Sequence, residues 1–325
     1  MKTVYLMLGN ACNWNCKYCI QEGSSNTKKR INPKIYDYIN SLGDVRINFW
    51  GGEPLLYKSV IDEVIDNLGE RKYLMVTNGS LIDDKIVDWA NYNKITMVLS
   101  HDGKKTKEVR DRDVLLSKDF VDTFNALHNR GVNSVIHAYN LDYHELWDYI
   151  EDKLGNIYIK TGFLDHTWDM PKDLYKYNYK KYSESVKRVH NVLIQKIKEG
   201  DFITSREHGL FFGAIKRFSK GDIYPPSCGA YKERLDIDLE GNIWACHNGF
   251  FKYGNIETKN IFDKYKNKYI EIRQENTKAC PTCEVKELCR EGCFLSISQY
   301  EHNTCKLRKI LYNEIYSFLD DLGKL

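Results

Sequence analysis

Short apolar runs alternate with longer amphipathic ones over the first two-thirds of the chain. Strand-like runs fall at Val4–Leu8, Val45–Trp50, Tyr73–Thr77, Ile95–Ser100, Ser134–Tyr139 and Ile157–Thr161. Between them, Pro33–Leu42, Ser59–Leu68, Asp83–Tyr92, Asp119–Asn129 and Tyr143–Leu154 repeat their apolar positions with a helical period. Strands alternating with helices of this length predict βα units around a parallel sheet. Pro33 after Asn32 is a helix start and Gly43 a helix stop. With Pro171–Gly200 counted as the last helix there are six units, too few for eight-fold closure. The expected fold is α/β, a partial, open (β/α)6 barrel.

The pattern changes after Gly200. Gly, Pro and aromatic residues become frequent, as in Gly221-Asp222-Ile223-Tyr224-Pro225-Pro226. Arg234–Ala245 alternates like a hairpin, with Glu240-Gly241-Asn242 as its turn. Lys306–Leu322 reads as a closing amphipathic helix. These shifts place a domain boundary near residue 220, dividing the chain into 1–220 and 221–325. The Tyr-rich stretch Tyr175–Tyr182 reads as half-buried packing on a long solvated helix.

Composition then narrows the class. The 325 residues carry 48 Lys and Arg against 45 Asp and Glu, a balance that gives no reason to expect nucleic-acid binding. No apolar run approaches the ~20 residues of a membrane span. The first ten residues are too short for an export signal and lack a cleavage site. The expected location is the cytoplasm. There, clustered cysteines bind metal or do redox chemistry more often than they form disulfides. The ten cysteines are clustered: three lie within Cys12–Cys19 and seven within Cys228–Cys305.

The first group, Cys12, Cys16 and Cys19, is a C-x3-C-x2-C run directly after the first strand. Three thiolates on one tight loop can hold three irons of a [4Fe–4S] cube and leave the fourth iron open. The alternative is a zinc knuckle, but zinc takes four ligands and neither a fourth cysteine nor a histidine lies near the loop.

This triplet, with Tyr18 before its last cysteine, resembles the radical S-adenosylmethionine (SAM) superfamily. Other loops at successive strand ends extend the resemblance. Gly51-Gly52-Glu53-Pro54 matches a GGEP motif, Thr77-Asn78-Gly79 a TNG motif, and Ser100-His101-Asp102-Gly103 an S-x-D-G motif. The resemblance implies that the open iron chelates SAM, whose reductive cleavage gives a 5′-deoxyadenosyl radical that takes hydrogen from a substrate. It implies that Gly51, Gly52, Glu53 and Pro54 meet the SAM amino group, through close backbone approach and an acceptor carboxylate. Thr77, Asn78, Ser100 and Asp102 would join Tyr18 around the cofactor. Arg112 would pair with the SAM carboxylate, with Arg110 as its rival.

The seven later cysteines resemble the SPASM extension of such enzymes. Cys228 is followed by Gly241 and Cys246, then by Cys280-x2-Cys283-x5-Cys289-x3-Cys293 and a separate Cys305. The resemblance implies two auxiliary iron–sulfur clusters, hence three [4Fe–4S] clusters in all. Cys280, Cys283, Cys289 and Cys305 would hold the distal one. Cys228, Cys246 and Cys293 would hold the proximal one, with an open iron or Asp222 in the remaining position. The alternative is a pair of zinc-ribbon sites completed by His247 or His302.

The family acts as maturases of peptides and proteins, which implies a peptide substrate and a flavodoxin- or ferredoxin-type electron donor. Only eleven residues precede Cys12, so leader binding is expected from a separate partner protein or another surface. Sulfatase maturases place an Asp where this chain has His247, a base suited to neutral pH. Phe163, His166 and Trp168, read as following the last strand, are candidate substrate contacts. The expected function is hydrogen abstraction from a ribosomally made peptide, leading to a cross-link, epimerisation or oxidation. Alternatives are a radical dehydrogenase or isomerase acting on a small molecule, and sulfatase-maturase-like protein oxidation. A third class is an iron–sulfur electron carrier or zinc-stabilised module, which would not need GGEP, Ser100 or Arg112.

Overall fold

The computed structural model describes residues 2–19, 30–164, 170–201, 206–218, 229, 233–248, 251–276, 280, 282–289 and 303–324. The strand–helix alternation is present. In chain order, β1 (Thr3–Met7), α1 (Lys34–Ser41), β2 (Arg46–Trp50) and α2 (Lys58–Leu68) come first. They are followed by β3 (Tyr73–Thr77), α3 (Asp84–Tyr92), β4 (Thr96–Ser100), a short α4 (Thr106–Val109) and α5 (Lys118–Asn125). Next come β5 (Arg130–Ile136), α6 (Tyr143–Leu154), β6 (Ile159–Phe163), α7 (Tyr179–Lys198) and α8 (Arg206–Phe218). The last segment holds β7 (Arg234–Asp238), β8 (Asn242–Trp244), β9 (Lys252–Asn255), α9 (Ile261–Asn276), α10 (Lys286–Cys289) and α11 (Asn303–Leu322).

The chain forms two compact units, and neither is a continuous stretch. The first comprises Met1–Ser100, Arg110–Val132 and Cys228–Ile272; the second comprises His101–Val109, Asn133–Ser227 and Arg273–Leu325. Both units therefore draw chain from either side of residue 220, and the expected boundary itself lies outside the described residues.

In the first unit β4, β3, β2, β1 and β7 are parallel neighbours in that order. The hairpin expected at Arg234–Ala245 is present, with β8 antiparallel to β7 and Gly241 at φ +86° in its turn. Its first strand does more than the alternation suggested: β7 extends the main sheet along the free edge of β1, in register from Thr3↔Arg234 to Met7↔Asp238.

Register divides this sheet into two chemically different faces, because partners in a parallel pair point the same way. Val4, Leu6, Ile47, Phe49, Met75, Met97, Leu99, Leu235 and Ile237 lie on one face, all fully buried. The alternate positions, Tyr5, Asn48, Trp50, Asp236 and Ser100 among them, form a mixed, largely half-exposed face. The second face, mixed and partly open, carries most of the sheet's polar side chains.

Helix starts follow local capping. Asp83, Ser117, Asp142 and Asn178 each accept backbone N–H groups of the first turn with their side chains. Several boundaries shifted, including the end of β5, at Ile136 instead of Tyr139, and β6, two residues later than Ile157–Thr161. The helix expected at Asp119–Asn129 ends at Asn125, and the next strand starts at Arg130 instead of Ser134. Periodicity missed α8, α9 and β9, and the sixth helix resolves into a short 3-10 turn, Lys172–Tyr175, followed by α7. In the second unit the Tyr-rich stretch packs as expected: Tyr182 is fully buried, its hydroxyl 3.0 Å from that of Tyr143. Among the described residues no helix is long and apolar enough to cross a membrane.

Candidate active site

The carboxyl ends of β1, β2 and β3 bring three loops of the first unit together. The loop after β1 carries Cys12, Cys16 and Cys19, all at least partly exposed. It is stitched to the Gly-Gly loop after β2 by backbone bonds from Gly52 N–H to Gly9 O (2.9 Å) and from Glu53 N–H to Ala11 O (2.8 Å). The Tyr57 hydroxyl accepts from Ala11 N–H at 2.8 Å. A Cβ on Gly52 would stand 2.2 Å from the Ala11 carbonyl oxygen, and one on Gly51 would stand 2.7 Å from that of Gly9. The close backbone approach that these glycines allow is thus to the cysteine loop itself.

Glu53 is 0 % exposed. One carboxylate oxygen accepts from Leu55 N–H (3.1 Å) and the Thr77 hydroxyl (2.8 Å), and the other from Asn78 N–H (2.8 Å). Burial pushes its carboxyl above the usual range, while the three donors pull it back. In this arrangement Glu53 fastens the loop after β2 to the loop after β3. Thr77 works within that clamp, its hydroxyl also accepting from Gly79 N–H at 3.1 Å.

Asn78 joins the third loop to the first. Its amide nitrogen is 3.9 Å from Cys12 Sγ and 2.9 Å from Asn13 Oδ1. Its amide oxygen accepts from Ser80 N–H (2.9 Å) and the Ser80 hydroxyl (2.6 Å), and Asn13 donates back to Ser80 Oγ at 2.8 Å. Cys12 also accepts from Trp14 N–H at 3.4 Å. Burial raises the Cys12 thiol, and these two N–H groups oppose it.

Past β4, the first unit resumes at Arg110. Arg110 is 9 % exposed with its guanidinium carbon 5.1 Å from the centre of the Tyr18 ring, whereas Arg112 is exposed. Between them, Asp111 accepts from Asn15 N–H at 2.9 Å, a contact to the cysteine loop that spacing gave no signal for. Ser100, the last residue of β4, is half-buried.

His247 lies on the polar face. Its ring stacks on Tyr5 at 4.7 Å and meets Trp50 edge-on at 4.1 Å. Its Nδ1 faces Asp236 Oδ1 at 3.4 Å, and the fully buried Asp236 also accepts from Arg234 Nε at 3.0 Å. Asp236, which pattern reading passed over, is the register partner of Tyr5. Cys246 is buried beside His247, while Cys228 and Cys293, expected with it at the proximal cluster, lie outside the described residues.

Two further expected groups belong to the second unit. Asp102 is fully buried; its carboxylate accepts from Val135 N–H (2.8 Å) and its own N–H donates to the Thr106 hydroxyl (2.7 Å). Gly103 next to it holds φ +72°, the left-handed turn that this residue type favours. Phe163 is the last residue of β6 instead of following it, and packs against Tyr182 and under the Arg308 guanidinium. His166 and Trp168 lie outside the described residues.

The second unit also carries Cys280, Cys283, Cys289 and Cys305. Cys283 N–H donates to Cys280 O at 3.0 Å, closing the C-x2-C turn. Burial pushes the Cys289 thiol up, the neighbouring Cys305 and Cys283 push it further, and Arg308 counters them by its charge and a hydrogen bond. Among the described residues no three Cys, His, Asp or Glu side chains stand as close as the ligands of one metal ion. Thiolates that each bind a different iron of a cluster span a wider cage than that. The donor chemistry, three thiols on the first loop and four around α10 and α11, fits iron–sulfur ligation.

Residues 6–155 match the radical SAM superfamily. The radical SAM cyclopropyl synthase TigE of Paramaledivibacter caminithermalis is 23% identical over 369 aligned residues, covering 97% of this chain and 74% of TigE. A cysteine-type anaerobic sulfatase-maturating enzyme of Clostridium perfringens is 23% identical, covering 87% of this chain and 86% of the enzyme. In fold, the chain is similar to the solved structure of anSMEcpe with bound AdoMet and Kp18Cys peptide, at TM-score 0.75, 17% identity and full coverage of both chains. It is also similar to Streptococcus suis SuiB bound to its precursor peptide SuiA, at TM-score 0.62 and 19% identity, over 90% of this chain and 72% of SuiB. The cysteine loop, the fold and the family match agree: residues 6–155 of this chain are a radical SAM domain.

Proposed function

We propose that this protein is a radical SAM/SPASM enzyme that modifies a ribosomally made peptide by cross-linking, epimerisation or side-chain oxidation. The observation that best supports this reading is likeness of fold along nearly the whole chain to two structures that hold peptides, anSMEcpe with Kp18Cys and SuiB with SuiA. A cluster on Cys12, Cys16 and Cys19, with SAM, would supply one-electron reductive cleavage to a 5′-deoxyadenosyl radical.

The chain's own residues divide the remaining work. Glu53, Gly51 and Gly52 hold the three loops in fixed relation through the contacts described above. Arg110, buried against Tyr18, suits the pairing with the SAM carboxylate better than exposed Arg112 does. His247 is the proposed acid/base, with proton exchange assigned to Nε2 because Nδ1 faces Asp236. Cys280, Cys283, Cys289 and Cys305 are assigned to a distal auxiliary cluster, and Cys228, Cys246 and Cys293 to a proximal one. A flavodoxin- or ferredoxin-type donor would supply the electron.

Two measurements test the reading. Anaerobically reconstituted protein is expected to hold about three cubane clusters, roughly twelve irons. With SAM and reductant, a short peptide encoded beside the gene is expected to change mass as 5′-deoxyadenosine forms. Stoichiometric zinc without iron–sulfur absorption would remove the cluster assignment. An unchanged peptide, together with turnover of a small molecule, would remove the substrate assignment.

A further inference from the structure

The side-chain network around Asn78 has a directional consequence. The Ser80 backbone N–H can only donate, and it points at the Asn78 amide oxygen from 2.9 Å. The amide nitrogen therefore faces the other way, toward Cys12 Sγ at 3.9 Å and Asn13 Oδ1 at 2.9 Å. An amide NH2 carries two hydrogens, one for each of these acceptors. The side chain is held on every side: its backbone N–H is clamped by Glu53 at 2.8 Å, and the residue is 7 % exposed. Cys12 takes its other hydrogen bond from Trp14 N–H, within its own loop. Asn78 thus reaches a thiol of the first cysteine loop from the neighbouring strand end.

We infer that Asn78 is a positioning residue for the N-terminal cluster, whose N–H···S bond to Cys12 makes that cluster easier to reduce. The inference rests on Cys12, Cys16 and Cys19 holding the cluster. A donor aimed at a cluster sulfur favours the more negative, reduced state, so its removal makes the reduction potential more negative. The thiolate of Cys12 is the natural place for such control. Asn78 shares the loop system with Glu53, so orientation and electron affinity are set by one hydrogen-bond network.

The test is a potentiometric titration of reconstituted holoprotein, following the electron paramagnetic resonance signal that changes when SAM is added. This response selects the cluster that binds SAM from any auxiliary cluster. Wild type is compared with Asn78→Ala, which removes the donor, and Asn78→Asp, which keeps the shape but adds negative charge. Asn13→Ala, which removes the amide's other acceptor but neither the donor to Cys12 nor the Ser80 N–H that orients the amide, serves as the control. The expected result is unchanged iron content, a more negative potential in Asn78→Ala, a still more negative one in Asn78→Asp, and a potential near wild type in Asn13→Ala. A wild-type potential in Asn78→Ala would overturn the inference. So would failure of both Asn78 variants to take up the cluster while remaining folded, since Asn78 would then act in assembly. Absence of any SAM-responsive signal from wild type would instead remove the cluster assignment beneath it.

Discussion

Gly52 shows how one residue type fixes the site. Its missing Cβ leaves room for the Ala11 carbonyl, and a methyl group there would meet backbone at 2.2 Å, which cannot swing aside. Gly52→Ala is therefore expected to push the cysteine loop off the Gly-Gly loop and to lower iron retained per chain, measured after anaerobic reconstitution. Gly209, inside α8, has no heavy atom within 4 Å of the same added carbon. Gly209→Ala is expected to keep its iron and to gain about 0.5–1 kcal/mol in urea unfolding, the helix cost of glycine. Equal iron loss in both variants would contradict this account. The sequence showed which residues matter here better than what they do. The motif letters around Glu53 and Asn78 were visible, yet their inward hydrogen bonds depend on loops that meet only after the strands pair. Asp111 and Asp236 had no readable spacing because each partner comes from a distant part of the chain.

Among the elements, strands were more legible than helix ends. Alternation of buried and half-exposed positions follows the pleat, so β1 to β4 were located to within a residue or two. The shift in β5 arose because helical periodicity was extended through Leu127 and His128 to Asn129, where the chain has already left α5. The helix α8 is held by polar contacts as well as by the buried Phe211 and Ala214. Glu207, 1 % exposed, accepts from Lys196 at 2.8 Å and lies 3.4 Å from both His144 and Arg206, linking α8 to α7 and α6. These partners hold its carboxyl well below the usual carboxylate range, against the effect of burial. An unfolded carboxyl takes its proton near 4.5 and the folded one only at lower pH. The stabilisation is therefore present above about 4.5 and drains away as pH falls below it. Glu207→Gln is expected to lower unfolding free energy by about 2 kcal/mol at neutral pH, the scale of a hydrogen bond to a charged group. In urea unfolding compared pairwise with wild type, that gap is expected to shrink as pH drops below about 4.5. A gap that stays constant or widens in acid would contradict the ion-pair role.

For the whole molecule, the sequence already divided the cysteines into two groups, and the structure places Cys12, Cys16 and Cys19 in one compact unit and Cys280, Cys283, Cys289 and Cys305 in the other. What the pattern missed was the partner of β7: this strand from the last third of the chain joins the sheet beside β1 and brings Asp236, Cys246 and His247 into the first unit. Hydrophobic alternation cannot reveal such a return, because it reports which face a strand buries and not which neighbour it joins. The central claim is that the first cysteine group alone performs SAM cleavage while the later cysteines hold separate clusters. The most direct measurement is 5′-deoxyadenosine formed from SAM under reducing conditions by a Cys12/Cys16/Cys19→Ala triple variant, with its iron content determined in the same sample. The account predicts no 5′-deoxyadenosine above background and iron retained at the auxiliary sites, about two-thirds of the wild-type amount if all three clusters are cubanes. Continued 5′-deoxyadenosine formation by the triple variant would contradict it.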